Sequence, residues 1–214
     1  MSEKKKRRNR KTAGKILIGA GSLLIIFVIA INVIDLVISA NAINEFKSRK
    51  AQIVFEKIDD NGNVISRDDL ENEAEKSGTD GDLEEDVAMC LLRIPKIDLE
   101  EAVKEGSTKS VLSSALGHIE NTAFPGENGN CCIAGHRNYV FGKYFNRLEE
   151  VTFGDIIEIE TMDNTYMYEV DSIEVVEPED VSVLEYTDGK NLTLITCTPF
   201  MIGSHRLIVH ATMK

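Results

Sequence analysis

Basic side chains are scarce in most of this chain. The 214 residues have a net charge of −12, although residues 1–15 contain eight Lys and Arg side chains against one Glu, a local charge of +7. Residues 16–214 therefore have a net charge of −19. So acidic a body repels nucleic acid and anionic membranes, which argues against a nucleic-acid function. Only the tail is suited to binding a polyanion.

The sequence also lacks the cysteine spacing of a zinc site. Its four cysteines are Cys90, Cys131, Cys132 and Cys197, and they form no CxxC pairs. Cys131 and Cys132 are neighbours, so on a strand their side chains point to opposite faces and cannot both bind the same partner. We therefore expect at least one cysteine to be free for chemistry.

One long apolar run follows the basic tail of residues 1–15. It spans Ile16–Ile34, and its nineteen residues would extend about 28 Å as a helix, close to the thickness of a bilayer core. The preceding Lys and Arg side chains predict a cytoplasmic tail and an exported body after Asp35. Ala40-Asn41-Ala42 offers a signal-peptidase site as an alternative, but the apolar core is longer than usual for a signal peptide. We therefore predict a single lipid-contacting transmembrane anchor in residues 16–40.

Residues 41–86 are predicted to form a stalk and an acidic linker. Apolar side chains at loosely helical spacing over Asn41–Lys57 predict a helical stalk. Glu56–Asp86 has thirteen acidic residues against three basic ones and few large apolar side chains. Such a segment cannot bury enough surface to offset its ordering entropy, so we expect a mobile linker.

A sequence similar to a calcium loop lies inside this linker. Asp59, Asn61 and Gly62 are suitably placed, but Lys57 occupies the first ligand position. Asp68 occupies the twelfth, where a longer bidentate Glu is expected. An Asn-Gly turn between two short strands is the simpler interpretation. We therefore expect no cofactor, and calcium is disfavoured.

Residues 87–214 are predicted to form the folded domain. Strand-like runs cover Val87–Pro95, Cys131–Ala134, Asp155–Thr161, Tyr166–Val176, Leu192–Thr196 and Arg206–Thr212. Two of them alternate apolar and polar residues, which is typical of strands with one buried face. A helical pattern is confined to Ser110–Leu116 and Phe141–Leu148. Many short strands separated by turns predict an all-β domain, either a barrel or a sandwich.

Three reactive residues stand at predicted strand ends. Cys197 closes one strand, which Pro199 stops two residues later. His136 follows another strand and Arg206 opens the last one, so the three can meet at one rim of a barrel. A thiolate is a strong nucleophile, an imidazolium can protonate a departing amine, and a guanidinium can hold an oxyanion.

Each of these residues also has a simpler interpretation. A cysteine at a strand end is often a small buried side chain, and a histidine beside an arginine is often a polar surface residue. Composition and spacing alone therefore do not establish a catalytic site.

The sequence around these residues resembles the sortase family. The segment TLITCTPFMIGSHRLIVHA is similar to the TLxTC…R signature of sortases, and IAGHRNYVFGKYFNRLEEVTFGDIIEI resembles their histidine segment. LLRIPKIDLEEAVKEG and ALGHIENTAFPGENGN resemble their opening strands and first loop. The similarity spans Leu91–Ala211.

The resemblance implies a closed eight-stranded sortase-type β-barrel, all-β with short helices, behind the N-terminal membrane helix. It implies Cys197 as the nucleophile, His136 as the catalytic histidine, Arg206 as the essential arginine and Thr196 as a substrate contact. The implied reaction is acyl transfer without a metal, on the outer face of a Gram-positive-type cell. Cys197 attacks the Thr–Gly bond of an LPxTG-like signal in a secreted protein, and an amine from a cell-wall precursor or a pilin lysine resolves the thioester.

The subclass follows from smaller features. PGENGN and AGHR resemble class D, whereas the pilin-polymerising class C shares TCTP and HR. Class C normally has an Asp-Pro-aromatic lid motif before the barrel, and residues 41–90 contain no proline. Class D-like anchoring is therefore favoured over pilus assembly. A cysteine hydrolase that releases the acyl group to water, and an inactive membrane-tethered binding module, remain open.

Three further histidines compete with His136 for the catalytic role. His118 matches a histidine often present in the family and is expected to be structural. His205 adjoins Arg206 but alternates to the opposite face of the strand. His210 shares the face of Arg206, yet about 13 Å of strand separates it from the rim. His136 is therefore preferred.

Overall fold

The computed structural model describes residues 2–56, 87–137 and 143–214. The sequence similar to a calcium loop lies outside these residues, as does most of the acidic linker. The chain divides into two compact units, Met1–Ile38 and Ser39–Lys214.

The first unit belongs to a long helix, α1, which begins at Ser2 and ends at Glu56. Its stretch Gly19–Ile53 is long and apolar enough to cross a membrane. The most apolar 18 residues of this stretch have a mean hydropathy of 2.8, and 6% of them are buried. Large apolar side chains such as Leu23 and Phe27 are exposed, as expected of a helix surrounded by lipid. The predicted N-terminal membrane helix is confirmed as a candidate span.

The second unit contains a closed β-barrel. Its strands are β1 (Ala88–Ile94), β2 (Leu99–Glu105), β3 (Leu116–His118), β4 (Gly129–Ala134), β5 (Ile156–Glu160), β6 (Thr165–Val176), β7 (Lys190–Thr198) and β8 (His205–Met213). They close in the order β1-β2-β3-β4-β7-β8-β6-β5. β2 pairs with β3, and β4 with β7, in parallel, whereas the other neighbours are antiparallel. The predicted eight-stranded barrel is confirmed.

Alternation along the strands fills the barrel. Leu192 and Leu194 of β7 and Leu207, Val209 and Ala211 of β8 belong to one buried cluster. Because side chains alternate across a strand, the residues between them project from the outer face. The inward-facing apolar side chains are removed from water, and this burial is the main driving force for closing the barrel.

Two strands were not predicted from the local strand pattern of the sequence. β2 has the sequence LEEAVKE, and its polar residues Glu101 and Lys104 are buried, so the apolar alternation is hidden. β3 has only three residues, too few to show a period.

The predicted helix Ser110–Leu116 is wrong at its C-terminal end. The helix there, α2, spans only Lys109–Leu112, and Thr108 caps it by accepting a hydrogen bond from Val111 N. The chain then enters β3, where pairing with β2 and β4 outweighs the local helical pattern.

The predicted helix Phe141–Leu148 is not present in the described part of that segment. Residues 143–147 form turns, and a 3₁₀ turn spans Leu148–Glu150. Tyr144 has φ 49°, a left-handed conformation that cannot continue an α-helix. Its backbone N–H donates instead to the Glu101 carboxylate, 3.4 Å away.

The last part of α1 packs against the barrel within the second unit. Phe46 is fully buried and clusters with Ala42, Ala88, Leu91 and Ala102. Ser39 Oγ donates to the Glu101 carboxylate at 2.8 Å. The helix predicted for Asn41–Lys57 agrees with α1 as far as Glu56, but its docking on the barrel was not predicted.

An ion-pair network surrounds this contact. Lys47 pairs with Glu100 and Lys50 with Glu160, while Arg93 of β1 pairs with Glu100, Glu158 and Glu160 at 2.6–2.9 Å. The hydrogen bonds from Lys50 and Arg93 lower the pKa of the Glu160 carboxyl below its ordinary value. The network therefore joins α1 to β1, β2 and β5 only while these carboxylates are ionised.

Replacing Phe46 should destabilise the second unit. Phe46→Ala removes a fully buried ring and should lower the free energy of unfolding by about 3–5 kcal/mol. The matched control is Phe153→Ala, because Phe153 is 76% exposed, and it should cost no more than about 0.5 kcal/mol. Urea unfolding of the full-length chain in detergent measures both. Equal losses in the two variants would contradict the packing of α1.

Acid should weaken the ion pairs between α1 and the barrel. Because the folded-state pKa of Glu160 is lowered, its contribution is present above its unfolded pKa of about 4.3 and is lost as the pH falls through the folded value. Between about pH 6 and about pH 3, Glu160→Gln should therefore lose less stability than the wild type. The exposed Glu179 supplies the control, since Glu179→Gln should keep the wild-type pH dependence. If the stability of Glu160→Gln fell with decreasing pH as steeply as that of the wild type, Glu160 would not contribute to this pH dependence.

Candidate active site

Strand pairing places Cys197, Arg206 and His136 at the same end of the barrel. Cys197 of β7 lies directly opposite Arg206 of β8. β7 also runs parallel to β4, and one residue past the end of β4 Gly135 N donates to Ile195 O at 3.0 Å. His136 therefore begins the segment that continues beside the end of β7.

The three side chains are accessible at this rim. Cys197 and Arg206 are partly exposed and His136 is exposed. Cys197 and Arg206 lie on the outer face, because their strand neighbours on alternate positions fill the barrel. A substrate can therefore approach the thiol from outside the barrel.

Two backbone carbonyls at the start of β8 and in the loop before it hold the Arg206 guanidinium. Arg206 Nη1 donates to Gly203 O at 3.2 Å and to His205 O at 3.0 Å. Gly203 has φ 66°, and a Cβ at that position would lie 3.6 Å from Cys197 Cβ. Glycine adopts this left-handed conformation without strain, so the loop can turn at Gly203 beside Cys197.

A cavity of about 200 Å³ opens at Cys197. Its walls are Cys197, Arg137 and the loop residues Pro199, Phe200, Met201, Ile202 and Gly203. Phe200, Met201 and Ile202 are consecutive, large, apolar and exposed, and apolar surface of this kind often marks a binding site. The thiol therefore sits in a small cavity with a largely apolar wall.

These residues and this barrel agree with a known family. The family model described as the sortase domain matches residues 92–214, more than half of the chain. The chain belongs to the sortase family. Sortases are cysteine transpeptidases, and this chain is an enzyme of that kind.

Two sortases illustrate the sequence relationship. Sortase D of Bacillus subtilis is 29% identical over 165 residues, covering 76% of this chain and 79% of that protein. Sortase SrtE1 of Streptomyces coelicolor is 36% identical over 149 residues, which are 62% of this chain but only 42% of the length of that relative.

Solved structures show the same barrel. The Clostridium perfringens Sortase D5 transpeptidase superposes with a TM-score of 0.64 at 31% identity, covering 83% of this chain and 98% of that one. Streptococcus agalactiae Sortase C1 superposes with a TM-score of 0.65 at 28% identity, covering 82% and 97%. Class D and class C sortases both share this fold, so the fold alone does not separate the two classes.

Thr196 occupies a different environment from its neighbour Cys197. It is 2% exposed, and its Oγ1 donates to Gly135 O at 2.8 Å. The hydroxyl predicted to contact substrate is thus engaged in holding β7 to the segment that leads into His136.

The other cysteines of this sortase are buried in strands. Cys90, Cys131 and Cys132 are all free thiols, and burial raises the pKa of each one, that of Cys132 to about 12. Buried thiols of this kind are chemically inert. Cys197 is the partly exposed member of the four, which favours it as the nucleophile.

The remaining histidines have other partners. His118 is buried, with Nδ1 2.8 Å from Glu105 Oε2, as expected for a structural histidine. His210 Nε2 lies 3.2 Å from Glu174 Oε1, four residues along β8 from Arg206. His205 Nε2 lies 3.3 Å from a carboxylate oxygen of the exposed Glu177. His136 is thus the histidine on the segment that continues β4 beside the end of β7.

Sequence reasoning missed Arg137. Its side chain is almost completely buried beside the cavity at Cys197, and no role was predicted for it from the sequence. The only signal in the sequence was the His-Arg dipeptide, since the sequence does not show that Arg137 contacts Glu149 and Thr198. Within the described residues, no cluster of His, Cys, Asp or Glu side chains is suited to hold a metal ion.

A small thiol reagent should distinguish Cys197 from the other cysteines. Iodoacetamide added to the native full-length chain should add one adduct, and Cys197→Ala should accept none, because the other thiols are buried. Denaturation should expose all four thiols of the wild type. Intact mass measures the adducts, and labelling of native Cys197→Ala would contradict the assignment.

Proposed function

We propose that this sortase cleaves an LPxTG-like sorting signal between Thr and Gly and transfers the acyl group to an amine. The observation that supports this most directly is the pairing of Cys197 with Arg206 across β7 and β8, with His136 at the same rim. The substrate would be a secreted protein with the signal near its C-terminus, and the acceptor an amine of a cell-wall precursor.

The proposed first half-reaction forms a thioester. The Cys197 thiolate attacks the threonine carbonyl carbon, and the resulting oxyanion accepts hydrogen bonds from the Arg206 guanidinium. As the C–N bond breaks, protonated His136 gives its proton to the departing glycine amine. The sortase is then left as an acyl-enzyme with neutral His136.

The second half-reaction reverses these roles. The acceptor amine attacks the thioester carbonyl, His136 takes the proton that the amine loses, and the Cys197 thiolate departs. The products are a new amide and the enzyme in its starting protonation state.

A planar guanidinium suits Arg206 to hydrogen bonding with the oxyanion, because it stays charged and its N–H groups are oriented by the backbone carbonyls of Gly203 and His205.

The outer face of β7 has the length that such a signal requires. Thr193 and Cys197 lie on the same face four residues apart, a distance of about 13 Å, which is also the length of four extended substrate residues. A second cavity of about 400 Å³ lies on this face, with Thr193, Asn130 and His210 among its walls. We propose that the signal lies along β7 between the two cavities.

Thr196 is proposed to act by positioning. Its buried hydroxyl already donates to Gly135 O, so it supports the placement of His136 relative to Cys197. Direct contact with substrate would require that hydrogen bond to break.

The proposed location is the outer face of the cell membrane. Sortases are membrane-anchored cell-surface enzymes, and α1 contains a candidate span. The local charge of +7 in residues 1–15 favours a cytoplasmic N-terminus and an external barrel.

We propose class D-like anchoring ahead of pilin polymerisation. The relatives include Sortase D of Bacillus subtilis and the Sortase D5 transpeptidase of Clostridium perfringens, and residues 41–90 contain no proline for a class C-type lid motif. Pilin polymerisation remains the second candidate, because pilus-related class C sortases share the fold.

The reaction can be tested with an LPxTG-type peptide and the full-length chain in detergent. With triglycine present, the product should be the peptide joined to triglycine, whereas release to water alone would indicate a hydrolase. Absence of any acyl-enzyme or product would indicate a binding module. Cys197→Ala should abolish turnover.

The arginine variants test the oxyanion role. Arg206→Lys lacks the planar fork and should lower kcat by about 10²–10³. Arg147→Lys is the matched control, because Arg147 pairs with Glu150 and Ile97 O away from the thiol, and it should turn over normally. Near-normal turnover in Arg206→Lys would show that position 206 supplies only charge.

A further inference from the structure

Arg137 is a buried cation at the edge of the active site. It directly follows the exposed His136, yet only 3% of its side chain is exposed. Arginine is rarely buried to this degree unless its charge and its N–H groups are satisfied. The groups that contact Arg137 therefore indicate why this side chain is buried.

Two branches of the guanidinium are held by the protein. Nη1 donates to Thr198 Oγ1 at 3.0 Å, and Nη2 forms an ion pair with Glu149. The guanidinium carbon also lies 5.7 Å from the centroid of the Phe200 ring, within the range of a cation–π contact. Because the guanidinium is planar and rigid, fixing these branches also fixes the direction of the third donor.

The third donor, Nε, has no hydrogen-bond partner. It is the one buried side-chain nitrogen or oxygen without a partner among the described residues. Such a group loses its hydration without compensation, so native proteins rarely contain one. An unpaired, preoriented donor in an active site is therefore expected to find its acceptor in a ligand.

The position of Arg137 identifies the ligand. Arg137 and Cys197 line the same cavity of about 200 Å³, so whatever enters that cavity lies next to the nucleophile. Glu149 already balances the charge of Arg137, which favours a neutral acceptor over a carboxylate. A backbone carbonyl is the neutral acceptor that every peptide substrate supplies.

We propose that Arg137 binds the sorting peptide directly, with Nε donating a hydrogen bond to a backbone carbonyl that flanks the scissile bond. This role rests on the proposed function and is separate from that of Arg206. Arg206 stabilises charge that develops during the reaction, whereas Arg137 holds the substrate beside Cys197 before attack. The two arginines approach from different elements, the segment after β4 and the start of β8.

Arg137→Lys tests the contact while keeping the positive charge. Lysine has no donor at the Nε position of the fork, so kcat/KM for the peptide should fall about tenfold to a hundredfold, mainly through KM. The rate of Cys197 alkylation by iodoacetamide should keep its wild-type pH profile, because that reagent does not occupy the peptide site. Arg147→Lys is again the matched control and should change neither measurement.

The alkylation profile separates substrate contact from positioning. If Arg137 only supports the His136 segment, Arg137→Lys should shift the profile and lower kcat with KM unchanged, and that result would overturn the proposal. Wild-type kcat/KM in Arg137→Lys would overturn it as well. If the wild type itself fails to turn over the peptide, the proposed function fails, and the role of Arg137 fails with it.

A set of altered peptides makes the test independent of how the variant folds. In each peptide, one non-scissile amide beside the Thr–Gly bond is replaced by an ester, whose carbonyl is a weaker acceptor. One replacement should lower wild-type kcat/KM several-fold more than the others. The same replacement should have no extra effect in a folded Arg137→Lys enzyme, because the donor is already gone. A uniform response of the wild type to all replacements would overturn the proposal.

Discussion

The register of β7 between its two neighbours determines where the reactive groups lie. Parallel pairing with β4 sets Ala134 beside Ile195, and antiparallel pairing with β8 sets Cys197 opposite Arg206. Side chains alternate along a strand, so a slip of one residue would turn Cys197 toward the barrel interior. The apolar residues Leu192 and Leu194 oppose such a slip, because it would expose them to water.

Several parts of this fold were predictable because their signal is local. The alternation in β5 and β6 predicted strands with one buried face, and both are present. The local strand pattern did not predict β2, because Glu101 and Lys104 are buried and no local pattern distinguishes them from solvated charges. The buried carboxylate of Glu101 makes sense only with Ser39 Oγ and Tyr144 N beside it, and both of those lie elsewhere in the sequence.

In the candidate site, too, residues with a local sequence signal were predicted and those that depend on tertiary contacts were not. Cys197, His136 and Arg206 were identified through short motifs that resemble a family, and strand pairing places Cys197 and Arg206 side by side. The burial of Arg137 depends on Thr198 and Glu149, and the motifs that contain these two residues do not show that they contact Arg137. Likewise, the docking of α1 depends on the fit of Phe46 between β1 and β2. Tertiary contacts of this kind cannot be derived from local sequence alone.

The burial of three cysteines has a consequence for the chemistry of the fourth. Cys90, Cys131 and Cys132 are enclosed by strands, and Cys197 is accessible. An oxidant that reaches the enzyme would therefore react first at Cys197 and convert it to a sulfenic acid. Repair within the chain would require a second thiol to condense with that group, and none of the other three can reach the surface while the barrel is folded. Recovery of an oxidised enzyme thus depends on an external reductant, and a folded barrel cannot trap its own nucleophile in an internal disulfide.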